Sequence, residues 1–218
     1  MSVHLQRQIE KLKSHITALG SRVEQSLLRA MVSIERRDAS LADQVIAEDD
    51  VIDRIELDVE EECLQTLALY QPVATDLRYV VAVLKINSDL ERIADMATSI
   101  ARQGKYLSAE PPIDPMPFDL AGMADRVRRM LSRALEAMLN ADPQLAESVR
   151  QADDEVDAIH RHMYEQVEGA MRRQPDRIPS YIHLMIISRQ LERVADLATN
   201  IAEDVIYTAQ GKLVRHAH

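Results

Sequence analysis

The chain repeats itself. Leu90 to Ala101 reads LERIADMATSIA and Leu191 to Ala202 reads LERVADLATNIA, with nine of the twelve positions identical. Upstream, Asp49-Asp50-Val51-Ile52-Asp53 returns as Asp153-Asp154-Glu155-Val156-Asp157. The offset is 104 residues for the acidic run and 101 for the longer motif, so the second copy loses three residues in the turn between them. Duplication on this scale commits the chain to two copies of one supersecondary unit, related by a pseudo-twofold axis.

The unit is helical. Leu5, Ile9, Leu12, Ile16, Leu19, Val23, Leu27, Ala30 and Ile34 recur in steps of three and four, the stripe of one long amphipathic helix that Gly20-Ser21 could kink. Asp38-Ala39-Ser40 reads as a turn with Ser40 as N-cap. A second helix then carries Leu41, Val45, Ile52, Ile55, Val59, Cys63 and Leu67 on one face and stops at Gln71-Pro72. A third runs from about Thr75 to Arg102. Beyond the linker, a fourth helix uses Leu120, Met123, Val127, Leu131, Ala134 and Met138. A fifth starts after Asp142-Pro143 and a sixth follows Pro175 to Pro179. Composition agrees: 46% of residues are hydrophobic but only 3% aromatic, an apolar inventory suited to helix-on-helix packing rather than to sheets.

The expected fold is therefore all-α, two tandem three-helix bundles. Residues 1–103 form the first bundle and 118–218 the second. Between them, 104–117 is a linker holding Pro111, Pro112, Pro115 and Pro117, half of the eight prolines. The net charge of −10 speaks against nucleic acid as a partner. The single cysteine, Cys63, cannot close an internal disulfide and reads as a buried small hydrophobe, which suits a reducing cytoplasm. Met1-Ser2-Val3-His4 leads directly into the amphipathic pattern with no secretory signal. The longest apolar run, Tyr79 to Leu84, is far too short to span a bilayer, so membrane association is expected only through partners or a surface contact.

The acids carry the functional signal. Asp49 with Asp53, Glu91 with Asp95, Asp153 with Asp157, and Glu192 with Asp196 are each four apart and project from one helix face. A helical wheel puts Asp49 and Glu91 at the border of their apolar stripes, so two neighbouring helices can bring four carboxylates to a shared edge. Each like-charge pair costs about 0.2–0.5 kcal/mol on an isolated helix. Asp53 and Glu91 have no basic residue three or four away on their own helices. A cation would resolve the repulsion, and all-oxygen donors suit Mg²⁺, Ca²⁺, Mn²⁺ or iron. The bland alternative is a solvated acidic face, with Arg92 and Arg193 pairing Asp95 and Asp196. Recurrence in both halves is what favours the metal reading.

No catalytic constellation is visible: there is neither a phosphate-cradling glycine loop nor a nucleophile elbow. His160 and His162 are two apart and cannot share a helix face. Asp157-x-x-His160 is a single acid-x-x-His unit, where a ferritin-like di-iron site needs two. His160 is also the one sensible residue for phosphotransfer. His4, His15, His183, His216 and His218 have no partner spacing.

The run Gln71-Pro72-Val73-Ala74-Thr75-Asp76-Leu77-Arg78, followed by Leu90-Glu91-Arg92-Ile93-Ala94-Asp95, resembles the first-half signature of the PhoU family. Leu191-Glu192-Arg193-Val194-Ala195-Asp196, continuing through Thr199-Asn200-Ile201-Ala202-Glu203, resembles the second. The resemblance extends from about Leu12 to Tyr207. It implies a pair of three-helix bundles whose acidic motifs, here Asp49, Asp53, Glu91, Asp95, Asp153, Asp157, Glu192 and Asp196, hold divalent or trivalent ions (Mg, Mn, Ca, Fe or Zn) or metal clusters. It further implies a cytoplasmic homodimer at the inner face of the membrane, joining the ATPase of the phosphate ABC transporter to the sensor histidine kinase of the phosphate regulon. Such a protein restrains the phosphate-starvation response when phosphate is plentiful. The family motif often has Gly before its Asp and His after it; here Ala94 and Met96, or Ala195 and Leu197, stand there. A non-enzymatic adaptor is the expected function, and a carboxylate-bridged di-metal hydrolase or oxidase is the alternative.

Overall fold

The computed structural model describes residues 3–211; Met1, Ser2 and the segment 212–218, including His216 and His218, lie outside the described residues. Six long α-helices form two up-down-up units: α1 (Val3–Glu35), α2 (Ala39–Tyr70) and α3 (Ala74–Ala109), then α4 (Leu120–Asn140), α5 (Pro143–Arg173) and α6 (Ile178–Gln210). The apolar stripe of α1 is the buried one: Leu5, Leu12, Ile16, Leu19, Val23, Leu27 and Ala30 are all in the core. Within each unit the turns are short, so successive helices are antiparallel neighbours.

The helix starts are set by aspartates. Asp38, Asp119 and Asp142 each accept a bond from a first-turn amide, at Leu41, Gly122, and both Gln144 and Leu145. Each such cap contributes about 1 kcal/mol. The cap of α2 is thus Asp38, not Ser40, because α2 already begins at Ala39. Pro143 occupies the first turn of α5, where its missing N–H costs nothing.

Two glycines act by close approach rather than by flexibility. Helix α1 is unbroken across Gly20-Ser21. Gly20 is buried, and a Cβ there would stand 2.7 Å from Leu135 Cδ2 of α4. Gly104 does not open the linker: α3 continues to Ala109, and a Cβ at Gly104 would lie 2.8 Å from Ile34 Cγ1 of α1. The helix yields only as the chain nears Pro111, whose ring forbids further helical hydrogen bonding.

Helices α3 and α6 carry most of the buried residues and pack on each other, so the cores of the two units are continuous. Polar contacts cross that seam. Lys85 Nζ lies 3.3 Å from Oδ1 of buried Asp204, and the Tyr106 ring stacks on His183 at 3.7 Å. Among the described residues no helix is long and apolar enough to cross a membrane.

Helix α4 ends on Ala141, held in the left-handed region at φ 49° and ψ 43°. A side chain there costs on the order of 1 kcal/mol, partly offset in glycine by chain entropy. Ala141→Gly is expected to stabilise the fold by about 0.5–1 kcal/mol, read from urea unfolding. A destabilised variant would show that the methyl group packs favourably.

Candidate metal centre

The acidic pairs sit where the apolar stripes of paired helices give way to solvent. In α2, Asp49 is half-buried and Asp53 exposed, flanking the buried Ile52; in α3, Glu91 is half-buried and Asp95 exposed, flanking Ile93 and Ala94. In the second unit Asp153 and Asp157 on α5 are both half-buried, and on α6 Glu192 is half-buried and Asp196 exposed. Apolar packing of one helix on the other therefore fixes how near these charges stand.

Register follows from the antiparallel pairing. Asn87 of α3 donates from Nδ2 to the main-chain oxygen and Oε1 of Glu56 on α2, at 2.9 and 2.8 Å. One turn further along, Asp53 faces Glu91, and beyond it Asp49 faces Asp95 and Thr98; the charges of both Asp95 and Asp53 act on Asp49. In the second unit, His160 Nδ1 meets Ser188 Oγ at 2.9 Å. Asp157 then faces Glu192, and Asp153 faces Asp196. The structure thus brings each predicted foursome into mutual electrostatic contact. Arg92 reaches Asp89 at 3.8 Å rather than Asp95. Among the described residues, none of the eight carboxylates forms an ion pair with Lys or Arg.

The electrostatic consequence is strongest in the second unit. Burial, reinforced by Asp196, Asp157 and other acids, pushes the Asp153 carboxyl up to about 7. Burial together with Glu192 and Asp157 raises Asp196 to about 6, against the opposing charge of Arg193. Burial also raises Asp49, Glu91 and Glu192 above the usual carboxylate range. The Thr98 hydroxyl moderates the shift at Asp49, though its geometry falls short of a formed hydrogen bond.

Do these residues fit a cation? No three His, Cys, Asp or Glu side chains among the described residues stand gathered into a group that could hold an ion as they lie. Like charges without a counter-ion drive side chains apart, so the test is whether donors are left wanting. They are, at matching places in both halves. Asp49 Oδ1 and Thr98 Oγ1 in the first, and Asp153 Oδ1 and Thr199 Oγ1 in the second, are buried atoms with no hydrogen-bond partner. Thr98 is only 2% exposed. An orphaned buried polar atom costs about 1–3 kcal/mol. Two carboxylate oxygens in that condition, each beside further acids, are an oxygen-donor set suited to a hard cation.

Two neighbours lie outside the eight residues expected from the sequence, in which His160 reads only as part of a single acid-x-x-His unit. Glu56 lies beside Asp53 and Glu91, and His160 beside Asp157 and Asp196. At the 104-residue offset they occupy the same position of the repeat. Burial lowers the pKa of His160 in spite of the two nearby acids. His162 turns away and contacts the Ala158 carbonyl oxygen. Cys63 is fully buried among apolar residues, its thiol pushed up to about 12 by desolvation.

A pH dependence follows. Asp153 and Asp196 keep their protons when folded at pH values where the unfolded carboxyls, near 3.8, have lost them. Their contribution to stability is complete below about 3.8 and is lost as pH rises through about 6 to 7. In the presence of chelator, Asp153→Asn is expected to raise the melting temperature at pH 8 and leave it nearly unchanged at pH 4, followed by circular dichroism. Equal effects at both pH values would contradict the assignment.

Comparison with known proteins agrees with the repeat. The family model described as the PhoU domain matches residues 16–104 and again residues 120–205. The phosphate-specific transport system accessory protein PhoU homolog of Aquifex aeolicus is 34% identical over 97% of this chain and 96% of its own length. That of Pseudomonas putida is 35% identical over 99% of this chain and 84% of its own. The crystal structure of PhoU from Pseudomonas aeruginosa superposes with a TM-score of 0.92 at 35% identity, covering 95% of this chain and 99% of that one. The phosphate transport system regulatory protein PhoU from Streptococcus pneumoniae gives 0.88 at 27% identity, covering 96% and 99%. With its full-length relatives, its doubled domain match and its six-helix architecture, this chain belongs to the PhoU family.

Proposed function

We propose that this chain is a metal-responsive, non-enzymatic regulator of phosphate uptake and of the phosphate-starvation response. It acts as a homodimeric adaptor between the ATPase of a phosphate transporter and the sensor histidine kinase of the phosphate regulon, in the cytoplasm and at the membrane only through those partners. The observation that carries the metal part is the pair of orphaned buried oxygens, Asp49 Oδ1 and Asp153 Oδ1, recurring at equivalent positions among further acids. The regulatory part is supported by membership of a family whose relatives are named as accessory proteins of a phosphate-specific transport system.

A bound cation supplies the positive charge that each acidic edge lacks. The protein's own share is positional. Apolar packing of α2 on α3 and of α5 on α6 holds the eight carboxylates of Asp49, Asp53, Glu91, Asp95, Asp153, Asp157, Glu192 and Asp196 on two edges of a rigid bundle. Neutralising an edge removes repulsion between two helices and narrows the range of their separation. Occupancy then biases which helix spacing a docking partner meets, a population shift that needs no chemistry on a substrate. The di-metal enzyme has weaker support, since neither acidic edge presents a pair of acid-x-x-His units.

An ion present at 100 times its Kd stabilises the fold by about 2.7 kcal/mol, or about 5–10 °C in a chain of this size. Mn²⁺ or Zn²⁺ is expected to raise the melting temperature by that order at pH 8. Asp49→Asn combined with Asp153→Asn is expected to remove most of the rise. Partner capture tests the adaptor role: transporter ATPase and sensor kinase are both expected to be retained, with strength that changes on chelation. Failure to retain either, with and without divalent ions, defeats it.

A further inference from the structure

The duplicated sites are not copies of each other at one position. Glu56 and His160 are equivalent by the 104-residue offset, and the residues that hold them, Asn87 and Ser188, are equivalent by the 101-residue offset. In each half a buried polar residue of the inner helix grips the side chain at the end of the acidic row. Asn87 is 1% exposed and Ser188 0%. The gripping chemistry differs. Asn87 donates to a carboxylate, whereas Ser188 meets an imidazole.

The Ser188 contact orients the ring of His160, with Nδ1 2.9 Å from Oγ. The Ser188 hydroxyl has one proton and also stands 3.4 Å from Met123 Sδ, a weak acceptor that has no proton to give. Both contacts of Ser188 are satisfied together only when His160 donates from Nδ1 and Ser188 Oγ accepts. In that tautomer the lone pair is on Nε2, the arrangement in which a ligating histidine is ordinarily held by its other nitrogen. The ring stands three residues from Asp157 on α5 and feels the charges of Asp157 and Asp196, opposed by that of Arg189. The Tyr164 ring meets it edge-on at 5.3 Å, walling one side.

We propose that His160 Nε2 completes the second-half centre as a nitrogen donor, so that the two halves take different ions. The first half, with Glu56 in the same place, offers oxygen donors alone and favours Mg²⁺ or Mn²⁺. The second, with one imidazole among carboxylates, favours Zn²⁺, Co²⁺ or Ni²⁺. This rests on the metal-binding reading above and adds the selectivity of each half.

The test uses the full chain with Zn²⁺ and Mn²⁺ themselves. Long-range ¹H–¹⁵N spectra of the histidine rings, recorded as Zn²⁺ is added, are expected to show the His160 Nε2 resonance shifting on binding while Nδ1 stays protonated. By calorimetry, His160→Ala is expected to weaken the tighter Zn²⁺ site at least tenfold, and Ser188→Ala about 10-fold or more through the freed ring. Both are expected to leave Mn²⁺ binding in the first half within about threefold, the scatter expected of an untouched site. Glu56→His with Asn87→Ser is expected to create a second tight Zn²⁺ site. Should Zn²⁺ bind both halves with the His160 resonances unmoved and His160→Ala inert, the selectivity proposal is overturned while metal binding survives. Should neither ion bind at all, both readings fall.

Discussion

Apolar packing along two antiparallel helix pairs forces like charges together, and the rest of the molecule is organised around that conflict. Ile52 and Val59 on α2, with Leu90, Ile93 and Ala97 on α3, are buried and fix the register of the first pair. Val156 and Met163 on α5, with Leu191, Val194 and Ala198 on α6, do so in the second. Once those residues interdigitate, the carboxylates at the edge of each stripe have no freedom to separate beyond the reach of their own rotamers. The hydrophobic gain of each buried aliphatic side chain, about 1.5–3 kcal/mol, outweighs the few tenths lost to each repelling pair. Folding is therefore secure while the edges stay electrostatically unsatisfied. If the edges take up cations as proposed, folding does not depend on them.

The same packing ties the edges to the centre of the molecule. Helices α3 and α6 each contribute acids to an outer edge and also form the seam between the two units. Each edge thus includes a helix that also packs against the other unit. At Gly20 and Gly104 a helix backbone lies directly against the side chains of Leu135 and Ile34, so a Cβ there would require those side chains to shift. These features suit a protein whose output is the shape it presents to others.

Much of this was legible in the sequence, and the reasons are specific. Nine identities in twelve residues cannot be hidden by drift, and a three-four apolar rhythm of more than 30 residues has one physical meaning. Element ends were less legible because they depend on single caps. Asp38, not Ser40, begins α2, and α3 runs on to Ala109 because Gly104 is consumed by contact with α1. All four acidic pairs were found by their spacing, since i and i+4 are neighbours on any helix. Glu56 and His160 were not placed with the acidic pairs. Each was judged against its own helix, while its significance lies in Asn87 or Ser188 on the next one. Aligning the two halves position by position exposes the exchange; scanning one helix for a second ligand does not.

Whether the acidic edges take ions is decided most directly by anomalous diffraction from crystals grown without chelator and soaked in Mn²⁺ or Zn²⁺. Peaks are expected between α2 and α3 beside Asp49, and between α5 and α6 beside Asp153, with the carboxylates drawn inward around them. Featureless maps at both edges under saturating metal, with the acid side chains turned out to water, would contradict metal binding there.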